Sequence, residues 1–353
     1  MNKSTFIGAL RGAFSINARR GALGVAACGA LSLSLLMNAP EAQAQTAAKQ
    51  IKSDATPQQH TQVPGYFRYL VGDVEVTALY DGYIQLDPKL LKGIQSDDLQ
   101  KLLAKLFIDS TDGVQTAVNA YLINTGDEVV LVDTGAAKCF GPTLGGMLDN
   151  LRASGYQPEQ VNLVVLTHLH ADHACGLVAA NGEAAFPNAT VRAAKEEADF
   201  WLDEERAAKA PEAQQGFFTM SRNSVAPYKS AKRFSTFGPN EKLAKTLSVV
   251  PSPGHTPGHS SLLIESAGKS LLILGDVVHN YAVQFPRPEV AIEFDTDSEQ
   301  AIKTRKQIFA DAAANRLAVA GAHLPFPGIG HVGTQDQGYL WVPASYSPVS
   351  TQH

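Results

Sequence analysis

The run Thr167-His168-Leu169-His170-Ala171-Asp172-His173 gathers four metal-ligating side chains, three histidines and one aspartate, into six residues, His168 to His173, and this constrains the fold most. In an extended segment, residues two apart point the same way, so His168 and His170 can reach one ion. Asp172 and His173 then turn towards a second ion beside it. On a helix the same spacing would splay the first two imidazoles apart, so the run must be a loop. It directly follows Asn162–Leu166, a short apolar segment read as a buried strand.

Three further candidates share that context, each lying just after an apolar strand-like run. His255 follows Leu247–Val250 within Pro253-Gly254-His255-Thr256-Pro257-Gly258-His259. Asp276 follows Leu271-Leu272-Ile273-Leu274-Gly275, and His323 follows Leu317–Ala320 through Gly321-Ala322. Strand ends are a sensible place to converge ligands from distant sequence. Mixed His and Asp ligands without Cys suit zinc, with manganese or iron less favoured.

Around these stations the chain alternates between strand and helix patterns. Phe67–Val71 and Val74–Tyr80 flank Gly72-Asp73 as a hairpin, and Val118–Asn124 pairs with Val129–Asp133 across a second turn. Helical character is expected over 87–112, Pro142–Ala153, 195–210 and from Asp297 or Ser298 to Ala314. Residues 211–240 read as irregular, and Leu317–Ala320 as a last strand before His323. Hairpins dominate each half and helices fall between them, which predicts an α/β fold of two sheets sandwiched between helix layers.

The first 44 residues differ from the rest. Lys3, Arg11, Arg19 and Arg20 form a basic region, Gly21 to Met37 an apolar one, and Ala42-Gln43-Ala44 a cleavage site. That is the pattern of a secretory signal peptide, too short and wrongly flanked for a membrane anchor. Residues 45–63 read as a flexible linker, and 64–353 as one folded domain. The expected location is outside the cytoplasm, periplasmic or secreted, by a general or a twin-arginine route. The net charge of -5, without basic blocks, argues against a nucleic-acid substrate. Cys139 and Cys175 follow the leader, and sequence leaves their pairing open.

The run T-H-x-H-x-D-H, with G-H-T-P-G-H, G-D and a late His in order, resembles the signature of the metallo-β-lactamase superfamily. The resemblance implies an αββα sandwich holding two zinc ions. It implies His168, His170 and His255 on one ion, Asp172, His173 and His323 on the other, and Asp276 bridging them with a hydroxide. Asp133, in Leu131-Val132-Asp133-Thr134-Gly135, would orient a ligand histidine. Stretches such as Phe140-Gly141-Pro142-Thr143-Leu144 and Phe326-Pro327-Gly328-Ile329-Gly330-His331 are similar to the exported methyl parathion hydrolases and related dihydrocoumarin-type lactonases. By that similarity Phe140, Trp201 and Phe217 would line the substrate pocket, and the enzyme could be a homodimer.

Departures from the organophosphate pattern tilt the expectation towards lactones. His279 stands three residues after Asp276, where those enzymes carry Leu, and Leu91 aligns with an Arg. Ile292 and Phe294 replace smaller residues. These four complete the expected pocket, with His279 as a hydrogen-bond or proton donor. The expectation is therefore an aryl-lactone or ester hydrolase with side activity on phosphotriesters. A principal phosphotriesterase, an acyl-homoserine lactonase, a zinc β-lactamase and a non-enzymatic metal-binding protein are the competing readings. No G-x-S-x-G nucleophile elbow occurs in the chain.

Overall fold

A computed structural model describes residues 57–349. The expected leader lies outside the described residues, as does most of the linker. No described helix is long and apolar enough to cross a membrane.

The first half supplies β1 (Tyr66–Val71), β2 (Val74–Leu86), the short β3 (Leu91–Lys92), β4 (Val114–Asn124), β5 (Val129–Val132), β6 (Leu163–Val165), β7 (Thr190–Ala194) and β8 (Phe234–Phe237). The second supplies β9 (Lys242–Ala244), β10 (Leu247–Pro251), β11 (Ser260–Ser266), β12 (Lys269–Ile273), β13 (Ala291–Ile292), β14 (Ala318–Ala320), β15 (Ile329–Gln335) and β16 (Gly338–Pro343). Their spatial orders are β1-β2-β4-β5-β6-β7-β8 and β16-β15-β14-β12-β11-β10-β9, with β3 paired to β13 apart from both.

Alternation within single strands shows why two sheets must stack. Val130 and Val132 face an inner core with Leu271, Ile273, Ala318 and Ala320 from the other sheet. Leu131, between the two valines, points outward into a cluster with Leu151, Phe186, Trp201, Phe218 and Tyr228. Leu272 and Val319 point outward from the second sheet, onto Ile308 and Phe309. Both sheets are thus buried on two faces, as the expected αββα sandwich requires.

The helices are α1 (Ser96–Lys105), α2 (Met147–Ala153), α3 (Ala171–Ala174), α4 (Lys195–Trp201), α5 (Glu204–Lys209), α6 (Glu212–Ser230), α7 (Tyr281–Gln284) and α8 (Ser298–Ala314). Several expectations need correction. The helix expected at 87–112 shrinks to α1, because Leu91–Lys92 pairs with β13 instead. The one expected from Pro142 starts only at Met147, since Gly145 sits at φ 96° in the left-handed region. Residues 211–240 are not irregular: they form α6 and β8. The buried face of α6 includes Ser221 and Ser224 beside Phe218, Val225 and Tyr228, so polar residues break its apolar period. The last strand before His323 is β14, as expected of Leu317–Ala320, but β15 and β16, which the sequence reading missed, extend the second sheet beyond it.

β5 to β8 run parallel, as do β12 and β14. The carboxyl ends of β5, β6, β12 and β14 lead into Asp133, the histidine run, Asp276 and His323. In open sheets this is the end where ligands bind.

Candidate metal centre

After β6, Thr167 donates through N and Oγ1 to the two oxygens of Asp133, both at 2.9 Å. Asp133 also meets His173 Nδ1 at 2.9 Å and holds a φ of 59°. His170 is extended, with ψ 157°, and caps α3. The chain is therefore extended at His170 and helical across Asp172 and His173. That change of conformation sends the two pairs of side chains to different places.

Two ligand quartets result: His168, His170, His255 and Asp276, and Asp172, His173, Asp276 and His323. Asp276 belongs to both. Its Oδ2 lies 3.3 Å from His255 Nε2, 3.7 Å from His168 Nε2 and 3.1 Å from His323 Nε2. Its Oδ1 lies 3.1 Å from His173 Nε2. Asp172 Oδ2 is 3.5 Å from His173 Nε2 and 3.4 Å from His323 Nε2.

These atoms suit cations better than one another. His168 Nε2, His173 Nε2 and Asp276 Oδ1 are buried and make no aligned hydrogen bond, although acceptors or donors lie close by. His255 Nε2 and His170 Nδ1 are 3.0 Å apart. Such separations match the edges of a tetrahedron around an ion with bonds of about 2.1 Å. The residues present fit two divalent ions.

The electrostatics agree. Burial, then neighbouring imidazoles, hold His168 and His170 well below the usual histidine range, leaving them neutral ligands. Burial opposes ionisation of Asp276, but His173, His323, His279 and His168 outweigh it and hold its carboxyl far below the usual range. Burial likewise opposes charge on His173, and Asp276, Asp172 and Asp133 outweigh it, raising its affinity for a proton. A proton and a metal compete for that nitrogen, so the same field that holds the one attracts the other.

Several supporting residues escaped the sequence reading. Asp295 Oδ1 meets His255 Nδ1 at 3.0 Å, while its other oxygen accepts from Ile292 N at 3.1 Å. His259 Nε2 accepts from Asp276 N at 2.9 Å, and its Nδ1 lies 3.0 Å from the Ser252 carbonyl. That pairing fixes its tautomer and the backbone of the shared carboxylate. Glu197, fully buried, accepts from Leu169 N and Gly258 N. Burial pushes its carboxyl above the usual range, and the Thr256 hydroxyl and these two amides offset only part of that. Asp81 accepts from Ala136 N and Met147 N, pinning the loop after Asp133.

The expected pocket residues fall into different surroundings, and two of them, Trp201 and His279, touch the centre. Trp201 packs edge-on against His170, with ring centroids 5.0 Å apart. Phe217 is half-buried against the outer core of the first sheet. Leu91 and Ile292 face each other across β3 and β13, within a buried cluster that includes Leu103 and Val283. Phe140 and Phe294 are 37% and 39% exposed, too open to be core. A cavity of about 430 Å³ borders the centre elsewhere, walled by Tyr80, Val114, Thr116, Tyr281 and Phe326, and by His279 and His323. Of the expected pocket residues, only His279 lines it. His279 Nε2 is 3.0 Å from Asp276 Oδ2, and burial lowers its pKa to about 4 against the pull of Asp276. It is a neutral imidazole at pH 7, a donor of an N–H rather than an imidazolium acid.

Cys139 and Cys175 form a disulfide, so the pairing that sequence left open is made. It ties the loop after β5 to the end of α3, two residues past His173.

Comparison with known proteins gives the same answer as the geometry. The family model described as the metallo-beta-lactamase superfamily matches residues 113–340. The crystal structure of AbOPH, a hydrolase in the beta lactamase superfamily, is 45% identical, with a TM-score of 0.78, covering 82% of this chain and all of its own. AidC, a dizinc quorum-quenching lactonase, is 27% identical with a TM-score of 0.74, covering 80% and 99%. An N-acyl homoserine lactonase of Bacillus cereus is 28% identical over 209 residues, 53% of this chain and 73% of its own. The chain belongs to the metallo-beta-lactamase superfamily and is one of its metal-dependent hydrolases.

Proposed function

We propose that this chain is an exported dinuclear zinc hydrolase that opens aryl lactones and esters of the dihydrocoumarin kind, with organophosphate triesters as secondary substrates. The observation that carries the substrate class is the cavity beside His279 and His323. Tyr80 and Phe326 meet edge-to-face at 5.5 Å in its wall, and Tyr281 also lines it. Aromatic walls of this kind favour an aryl group by offset and edge-on contacts. The sequence stretches that resemble dihydrocoumarin-type lactonases and methyl parathion hydrolases support the same reading, and the lactonases among the relatives support lactone hydrolysis as such.

When bound, two zinc ions lower the pKa of a coordinated water to about 7 and polarise a substrate oxygen. The chain's own residues do the rest. His168, His170 and His255 would hold one ion, Asp172, His173 and His323 the other, and Asp276, common to both groups, would contribute to each. Asp133 keeps the proton of His173 on Nδ1, so that Nε2 stays free to ligate. His279 faces the reacting group from the cavity side and offers an N–H to oxygen as negative charge develops there. The aromatic walls of the cavity seat the aryl group next to that N–H. Export is supported by the N-terminal segment and by the disulfide, which persists in oxidising compartments.

A kinetic panel on metal-replete protein tests the reading: dihydrocoumarin, aryl esters, acyl-homoserine lactone, methyl parathion and a β-lactam. The aryl lactone is expected to give the highest kcat/KM; a lead for methyl parathion, the homoserine lactone or the β-lactam would replace the assignment. In the same panel His279→Leu is expected to cut aryl-lactone turnover about 100-fold, the effect of losing one oxyanion donor. Methyl parathion turnover should fall less or rise. An unchanged ratio between the two substrates would remove His279 from the reaction.

A further inference from the structure

We propose that Glu197 is a positioning residue for the metal centre, locking together the two loops that carry His168, His170 and His255. The inference rests on the dinuclear reading above. Leu169, whose N–H donates to Glu197 Oε2 at 3.1 Å, lies between His168 and His170. Gly258, whose N–H donates to Oε1 at 2.9 Å, lies between His255 and His259. The first loop leaves β6 in one sheet, and the second joins β10 to β11 in the other. One carboxylate therefore sets the spacing of three ligands that come from both sheets.

The close approach is built into the sequence. A Cβ on Gly258 would lie 2.5 Å from Glu197 N, so only glycine lets the second loop reach α4. Four residues along the same helix, Trp201 packs against His170. The helix thus controls the loop backbones with one side chain and a ligand ring with another. Glu197 is 0% exposed, so without its carboxylate both amides would be buried donors with no acceptor. The loops would then shift to satisfy them, and the ligands would move with them.

The test is zinc competition against a chromophoric chelator, together with cobalt absorption spectra, on the full chain without substrate. Glu197→Gln keeps the size of the side chain but turns one acceptor into a donor facing an N–H. It is expected to weaken one of the two metals about 10–100-fold, the usual cost of losing a group that orients ligands. The cobalt bands of that site should change, while the other site keeps its affinity. Glu197→Asp should fall between Gln and wild type, and carries the same readouts if the Gln variant is insoluble. Phe309→Leu, in the outer core of the second sheet, is the control for general destabilisation and should bind both metals as wild type does. Wild-type affinity for both metals in Glu197→Gln, or equal weakening in Phe309→Leu, would overturn the assignment. A wild-type chain that binds fewer than two metals would instead refute the dinuclear reading beneath it.

Discussion

Asp276→Asn is expected to lower kcat/KM by about 1000-fold or more and to lose one of the two metals. The estimate follows from losing several kcal/mol of metal-based stabilisation, at 1.36 kcal/mol per factor of ten. Asp276 is the one side chain in both quartets, and its two oxygens lie 3.0 to 3.7 Å from imidazole nitrogens. An amide has the same shape but offers a lone pair on only one of its two ends. It also removes a negative charge that offsets two divalent ions in a buried site. The backbone is untouched, because Asp276 N still donates to His259. Folding should therefore survive, and near-native ellipticity with a single bound metal is the expected pattern. Activity within tenfold of wild type, with both metals retained, would show that Asp276 does not join the sites.

Asp133→Asn is expected to weaken the metal held by Asp172, His173 and His323 about 10–100-fold, leaving the other site intact. The cause is a tautomer. Asp133 accepts from Thr167 N and Oγ1 and from His173 Nδ1, which places the histidine proton on Nδ1. An asparagine that still accepts from Thr167 N turns its NH₂ towards His173. The ring then answers by carrying its proton on Nε2, the atom that must ligate. The spatial arrangement survives while the lone pair is lost. Metal titration at pH 7 checks this, with site-resolved cobalt spectra separating the two positions. Equal affinity at both positions in the variant would mean that Asp133 only braces the loop.

The metal ligands were legible because their chemistry needs rare residue types at the ends of apolar strands. His168, Asp276 and His323 each follow such a strand, and the alternation around Leu131 and Leu272 shows sheets buried on both faces. Asp295 and Glu197 were not legible. They reach the centre from a loop and a helix in another part of the chain, with no motif spacing to betray them. Helix α6 was hidden by serines on its buried face: Ser221 bonds to Leu169 O at 2.7 Å, a tertiary contact that no periodicity records. Strand β15 was hidden by Gly330 and Gly333. A Cβ on Gly330 would collide with Val342 O and the Trp341 ring, so close packing against β16 demands a residue that weakens the strand signal. The cavity escaped for a different reason: its walls come from segments as distant as Tyr80, Thr116, Tyr281 and Phe326.

The central claim is that hydrolysis depends on two metals held by these residues. It is tested most directly by stripping the purified chain with a chelator, adding zinc back in steps, and recording bound metal and dihydrocoumarin hydrolysis together. The account predicts no activity in the metal-free chain, and activity that returns fully as two equivalents bind per chain. Full activity in the metal-free chain, or full recovery with no metal bound, would contradict it.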